Sequence, residues 1–204
     1  MTLIYVMDPM CSWCYAFHPH LRDLISRLKP GIKVHCYMGG LAPDNDQPMP
    51  EELQQAIAQT WRQIEQRTDT QFNHDFWQEC QPRRSTYPAC RAVISAELTA
   101  TGCGMMMAEA IQRAYYLEAR NPSDLSTLTE LAQEIGLDSK RFSAQMFSEK
   151  TAQTLFEDLD FCQQNGIQGF PFLGLKLQDG LEVICAGYCD RDTLLQRCST
   201  YGIV

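Results

Sequence analysis

Leu3-Ile4-Tyr5-Val6-Met7, then Asp8-Pro9-Met10, then Cys11-Ser12-Trp13-Cys14: this stretch decides the fold. The first five residues are an apolar run of strand length, the next three a turn-forming segment, and from Cys11 onward the spacing becomes helical. The reading is a strand that ends in a short loop and delivers Cys11 to the first turn of a helix. There, unpaired backbone N–H groups and the positive end of the helix dipole favour a thiolate. Cys14 falls one turn farther in, within reach of Cys11. Two thiols so placed exchange two electrons and two protons with another disulfide, an exposed Cys11 attacking and a shielded Cys14 resolving the mixed disulfide. That chemistry requires no metal or organic cofactor, and glutathione enters only as a candidate co-substrate. Zinc is the competing reading, because C-x-x-C is also half of a zinc site and Cys185, Cys189, His18 and His20 offer further ligands. The strand-to-helix placement favours the redox dithiol, with no metal.

Composition bounds the rest. A chain of 204 residues, 45% of them hydrophobic, can bury a substantial core as one domain or as a domain carrying a large insertion. No apolar stretch approaches the roughly 20 residues that span a bilayer, so no membrane partner is expected. Met1-Thr2 leads straight into the first strand without a basic segment, an apolar stretch and a small-residue cleavage site, which points to a cytoplasmic protein. Ten cysteines in that setting read as free thiols in a reducing compartment. Cys36, Cys90, Cys103 and Cys162 read as small core residues, whereas Cys80 and Cys198 carry no readable role. A net charge of −8, without any dense basic run, argues against a nucleic-acid partner.

Periodicity changes twice along the chain. The helix that carries the cysteines ends near Pro30-Gly31, and Lys33 to Met38 read as a second strand that Gly39-Gly40 stops. A polar, proline-rich linker from Pro43 to Pro50 opens about a hundred residues of helical pattern. Leu53, Ile57, Trp61 and Ile64 keep helical spacing; Tyr87 to Thr101 and Met105 to Ala119 are alanine- and methionine-rich helices. Ser123 reads as the cap of a helix bearing Leu125, Leu128, Leu131 and Ile135, with Gly136 as its stop. A last long helix runs from about Ser148 to Asn165. Phe172 to Leu177 and Leu181 to Cys185 form an antiparallel pair around Asp179-Gly180, and Asp190 to Cys198 closes the chain as a helix. The organisation expected is therefore α/β: residues 1–42 and 148–204 form one domain, and 43–147 an all-helical insertion. Without the insertion the element order is that of the thioredoxin fold.

The chain resembles the DsbA family, thioredoxin-fold proteins with a large helical insertion. Within it, the likeness is to the cytoplasmic protein-disulfide isomerase branch related to the FrnE group. The resemblance rests on Asp8-Pro9-Met10-Cys11-Ser12-Trp13-Cys14, on Gly39-Gly40-Leu41, on Tyr87-Pro88-Ala89-Cys90-Arg91-Ala92 and on Gly169-Phe170-Pro171. It implies a protein-disulfide oxidoreductase or isomerase acting on protein or peptide thiols and disulfides, with Cys11 and Cys14 catalytic. It also implies a cis bond between Phe170 and Pro171, in a loop opposite the dithiol where the backbone of Phe170 pairs with an extended substrate segment. Read from the residues alone, Pro171 is equally a turn proline that introduces a strand. Ser12-Trp13 replaces the Pro-His of the periplasmic oxidant, so a less oxidising couple is expected. The bulk of Phe170 bears on the shape of the peptide groove.

Further candidates surround this core. Met10, Trp13 and Phe170 form an apolar rim suited to unfolded polypeptide, and Met105-Met106-Met107 either extend it or fill a helical core. Asp8 is a proton relay, a helix cap or a strand terminator, the two structural roles favoured; His18 either tunes Cys14 or packs on its helix. FrnE-like relatives carry a second cysteine pair near the C-terminus, a role that Cys185 and Cys189 would fill here. Two other functions stay in view. One is a glutathione-dependent transferase or isomerase of the kappa-class or 2-hydroxychromene-2-carboxylate type, which carries Ser where this chain has Cys11. The other is a redox- or zinc-controlled polypeptide-binding protein. Oligomeric state is not legible in the sequence.

Overall fold

The fold is described by a computed structural model covering residues 1–204. In chain order the elements are β1 (Thr2–Met7), α1 (Ser12–Arg27), β2 (Lys33–Met38), α2 (Glu51–Arg67), α3 (Phe76–Glu79), α4 (Tyr87–Thr99) and α5 (Cys103–Leu117). There follow α6 (Leu125–Glu134), α7 (Ser139–Met146), α8 (Glu149–Gln164), β3 (Phe172–Lys176), β4 (Leu181–Ala186) and α9 (Arg191–Thr200). This is the thioredoxin fold with a helical insertion between β2 and β3. Two compact units result: Met1–Gly39 with Asp158–Val204, and Gly40–Glu157.

In the first unit the strands lie in the order β2-β1-β3-β4. β1 is parallel to β2, as a helical crossover requires, and antiparallel to β3, which in turn pairs antiparallel with β4. The unbroken apolar run of β1 is explained by its central place, because a strand covered on both faces has no polar side to show. Successive side chains point to opposite faces. Tyr5 meets Phe17 of α1, ring centroids 6.1 Å apart. Ile4 and Val6 pack with Cys162 of α8, Ile167 and Phe172. β2 is an edge strand, and for that reason Cys36 is only half-buried rather than a core residue. Its end is held by the buried carboxylate of Asp158, which accepts the Met38 N–H at 2.9 Å.

The second unit has an aromatic core around fully buried Trp61, whose ring meets Phe72, Phe76, Trp77, Tyr115 and Tyr116. Met107 is buried in α5, whereas Met106 is 47% exposed, so the three methionines neither fill the core together nor share one surface. One expectation fails here: Ser123 does not cap α6. The cap position is Asp124, while Ser123 is buried and its hydroxyl donates to the Ser85 carbonyl at 3.2 Å. A tertiary partner outbids the local helix end. α7 is a separate helix within the helical stretch, capped by Asp138, whose carboxylate accepts the Arg141 N–H at 2.8 Å.

Candidate functional site

The site begins where β1 stops. The Asp8 carboxylate accepts the Met10 N–H at 2.8 Å, and the Asp8 carbonyl accepts the Cys11 N–H at 3.0 Å. An Asp side chain that turns back on the next backbone donors folds a tight loop, which Pro9 stiffens. Asp8 is therefore the turn-former at the strand end, fully buried, and not the cap of α1. The cap is Cys11 itself: its extended backbone precedes the helix, and its Sγ accepts the Cys14 N–H at 3.4 Å. A sulfur in the N-cap position takes up one of the donors that a helix start leaves open.

Cys14 is completely buried, one turn from Cys11. Burial, and then the hydrogen bond and charge of Cys11, push the Cys14 thiol well above its ordinary value, against a lowering contribution from the Asp8 backbone. Cys14 thus keeps its proton. Cys11 is 7% exposed, so the exposed thiol of the sequence reading is in fact nearly covered, because Phe170 lies over it: Cys11 Sγ donates to the Phe170 carbonyl at 3.6 Å. The Phe170–Pro171 peptide is cis.

The ring of Phe170 does not join the rim. It packs inward with the Ile4, Val6 and Ile167 cluster and lies so close over Gly39 that a Cβ there would fall 2.2 Å from the ring tip. Only glycine at 39 leaves that space. The residue thus presents its carbonyl to the dithiol and its side chain to the core. Met10 and Trp13 remain half-exposed beside the cysteines. His18 is a half-buried residue of α1; the polar link from this helix to the loop after β4 is made by His20, whose Nε2 lies 3.0 Å from the Tyr188 hydroxyl.

Three residues join the site without a signal in the sequence. Tyr5 of β1 is buried with its hydroxyl toward Cys14, and burial, followed by the charges of Cys14, Cys36 and Cys11, raises it well above its usual value. Tyr188 sets its ring 5.4 Å from that of Trp13. Gly187 donates its N–H to the Pro171 carbonyl at 2.8 Å. The neighbouring pair Cys185 and Cys189 is also buried. A hydrogen bond from Cys189 draws Cys185 down and pushes Cys189 up, and Arg197 lowers both. All ten cysteines are free thiols, and no three His, Cys, Asp or Glu side chains gather as ligands for a metal ion.

Comparison with known proteins accords with this geometry. A family model described as Thioredoxin matches residues 4–176. Among solved structures, a candidate protein disulfide isomerase from Nitrosomonas europaea superposes with a TM-score of 0.88 at 28% identity, covering 98% of this chain and 96% of that one. The cytosolic disulfide reductase DsbM from Pseudomonas aeruginosa superposes with a TM-score of 0.82 at 26% identity over 98% of both chains. Its structure with GSH gives 0.80 over the whole of both. Among curated proteins, the ClpXP adapter protein SpxH of Bacillus subtilis is 23% identical over 174 residues, 85% of this chain. The match takes in 57% of that protein, so the chain spans little more than half the length of this relative.

Proposed function

The chain belongs to the thioredoxin family, with DsbA-family oxidoreductases among its structural neighbours, and on that premise we propose that it is a thiol–disulfide oxidoreductase acting on protein disulfides through Cys11 and Cys14. The observation that carries this reading is the pairing of a nearly covered sulfur at a helix N-cap with a fully buried, proton-holding thiol one turn away. Cys11, as thiolate, attacks one sulfur of a substrate disulfide; the S–S bond breaks, a mixed disulfide forms and one substrate thiolate leaves. Cys14 then gives up its proton, which balances the thiolate released, and attacks the Cys11 sulfur. The products are a Cys11–Cys14 disulfide and the second substrate thiolate, which takes up the proton that Cys11 lost on ionising. The substrate has gained the two electrons that the dithiol lost. Run partway and back, the same steps isomerise a substrate.

Phe170 and Pro171 orient the substrate chain in this reading, the Phe170 backbone serving as a pairing edge, and Met10 and Trp13 offer an apolar margin. Glutathione is the thiol we assign to regenerate the dithiol or to stand as mixed-disulfide substrate; a relative at 26% identity has been solved with GSH. A reducing, cytoplasmic setting suits ten free thiols. Cys185 and Cys189, in mutual contact, are assigned as an accessory thiol pair.

Substitution tests the assignment. Cys11→Ser abolishes turnover of a protein disulfide, and Cys14→Ser accumulates a mixed disulfide visible by mass spectrometry. Undiminished turnover in Cys11→Ser overturns the mechanism. Glutathione-dependent activity that persists in Cys14→Ser, with no trapped species, replaces it with a transferase that needs no dithiol.

A further inference from the structure

The dithiol site is assembled from two loops far apart in the chain: Asp8 to Cys14, and Gly169 to Phe172. Besides the β1–β3 pairing behind them, one link across the site is the Cys11 thiol donating to the Phe170 carbonyl. That link exists only while Cys11 carries a proton. In the thiolate, the mixed disulfide and the Cys11–Cys14 disulfide there is no S–H to donate, so this one tie is lost during the exchange.

Two consecutive residues from a third part of the chain bridge the same loops by contacts that involve no reacting atom. Gly187 donates its N–H to the Pro171 carbonyl at 2.8 Å. Tyr188 places its ring 5.4 Å from Trp13, between the two cysteines, and 6.5 Å from Phe17 farther along α1. Its hydroxyl is 3.0 Å from His20 Nε2. The bridge is itself anchored: the Cys185 thiol donates back to the Gly187 carbonyl at 3.1 Å. Gly187 has φ +88°, a conformation that suits glycine. It turns the chain so that its own N–H faces the proline loop while the next side chain reaches α1. We propose that Gly187-Tyr188 is a strut that holds the cis-proline loop and the cysteine helix at a fixed spacing throughout disulfide exchange, with Tyr188 a positioning residue for Cys11.

This inference rests on the oxidoreductase reading, and one set of measurements separates the two. Wild type, Tyr188→Phe and Tyr188→Leu are equilibrated in reduced and oxidised glutathione to obtain the constant for the Cys11–Cys14 disulfide, and kcat and KM are measured on a protein disulfide, alongside thermal melting. A displaced reacting group costs about ten- to a hundredfold in rate. Tyr188→Leu is therefore expected to lower kcat by about tenfold or more and to move the glutathione equilibrium constant. Tyr188→Phe, which keeps the ring and loses the hydroxyl, falls between it and wild type. A Tyr188→Leu protein with wild-type constant and kcat but a lower melting temperature overturns the strut and leaves packing alone. Wild type that never forms a Cys11–Cys14 disulfide overturns the oxidoreductase reading, and the strut with it. If Tyr188→Leu does not melt cooperatively, His20→Ala decides. It keeps the ring and frees it from its polar anchor, so the shift is expected in the same direction and smaller; no shift in either His20→Ala or Tyr188→Phe overturns the proposal.

Discussion

Gly39 shows how one missing side chain shapes the site. The Phe170 ring occupies the volume that a Cβ at 39 would need, with ring atoms at 2.2 to 2.6 Å from that position. Alanine there must drive the ring off its seat among Ile4, Val6 and Ile167. Overpacking of this kind costs about 1–3 kcal/mol, and here the displaced residue also carries the carbonyl that faces Cys11. Gly39→Ala is therefore expected to lower the urea midpoint and to reduce kcat/KM on a protein disulfide; a destabilised variant with unchanged kcat/KM would show that the ring seat and the carbonyl are independent. Cys11 and Cys14 could be singled out in the sequence because their meaning lies in local spacing after a strand. The inward turn of Phe170 could not be read there, since it depends on a glycine at the end of a different strand. Tyr188 is invisible for the same reason: nothing near it in the chain announces that its ring meets Trp13.

At the scale of elements, the long helices were legible because each buries a face whose period the sequence repeats, and β1 because it is an unbroken apolar run of strand length covered on both faces. The expected cap at Ser123 failed because a side chain with a short-range use was recruited by Ser85, distant in sequence. Two helices also bury thiols with a consequence for pH. Cys162 of α8 and Cys198 of α9 are each pushed up to about 11, burial being the main cause. In the folded chain both stay protonated, whereas an unfolded thiol ionises near its ordinary value of 9.0. Their contribution to stability is therefore complete below about pH 9 and is lost as pH rises from there through about 11. Urea midpoints measured under reductant are expected to fall between those limits more steeply in wild type than in a Cys162→Ala, Cys198→Ala double variant. Parallel curves would remove these thiols as the cause.

For the whole molecule, charge is the property that reaches beyond the site. The net charge of −8 on 204 residues gives the protein a negative field at neutral pH. Such a field slows the approach of anions and speeds that of cations, and salt screens both effects, with a Debye length of about 8 Å at physiological ionic strength. Glutathione disulfide is anionic at neutral pH, and a lysine-rich disulfide peptide is cationic. If Cys11 meets both from solution, added salt should raise kcat/KM for glutathione disulfide and lower it for the basic peptide, with kcat little changed in either case. Stopped-flow traces of Cys11–Cys14 oxidation over a series of salt concentrations would show the two slopes directly. Slopes of reversed sign would mean that the charges surrounding the cysteines, rather than those of the whole molecule, set the encounter, and equal slopes would mean that charge does not set it. The acidic balance was legible from composition, but composition alone gives no placement for the charge. The fold adds that Asp23 and Asp190 both lower their own carboxyls through local partners, Asp23 with Arg27 and Arg191, and Asp190 at the start of α9 with Thr193. Both carboxylates therefore stay ionised well into acid. Both also lie near His20, where their charges act on the residue that anchors Tyr188.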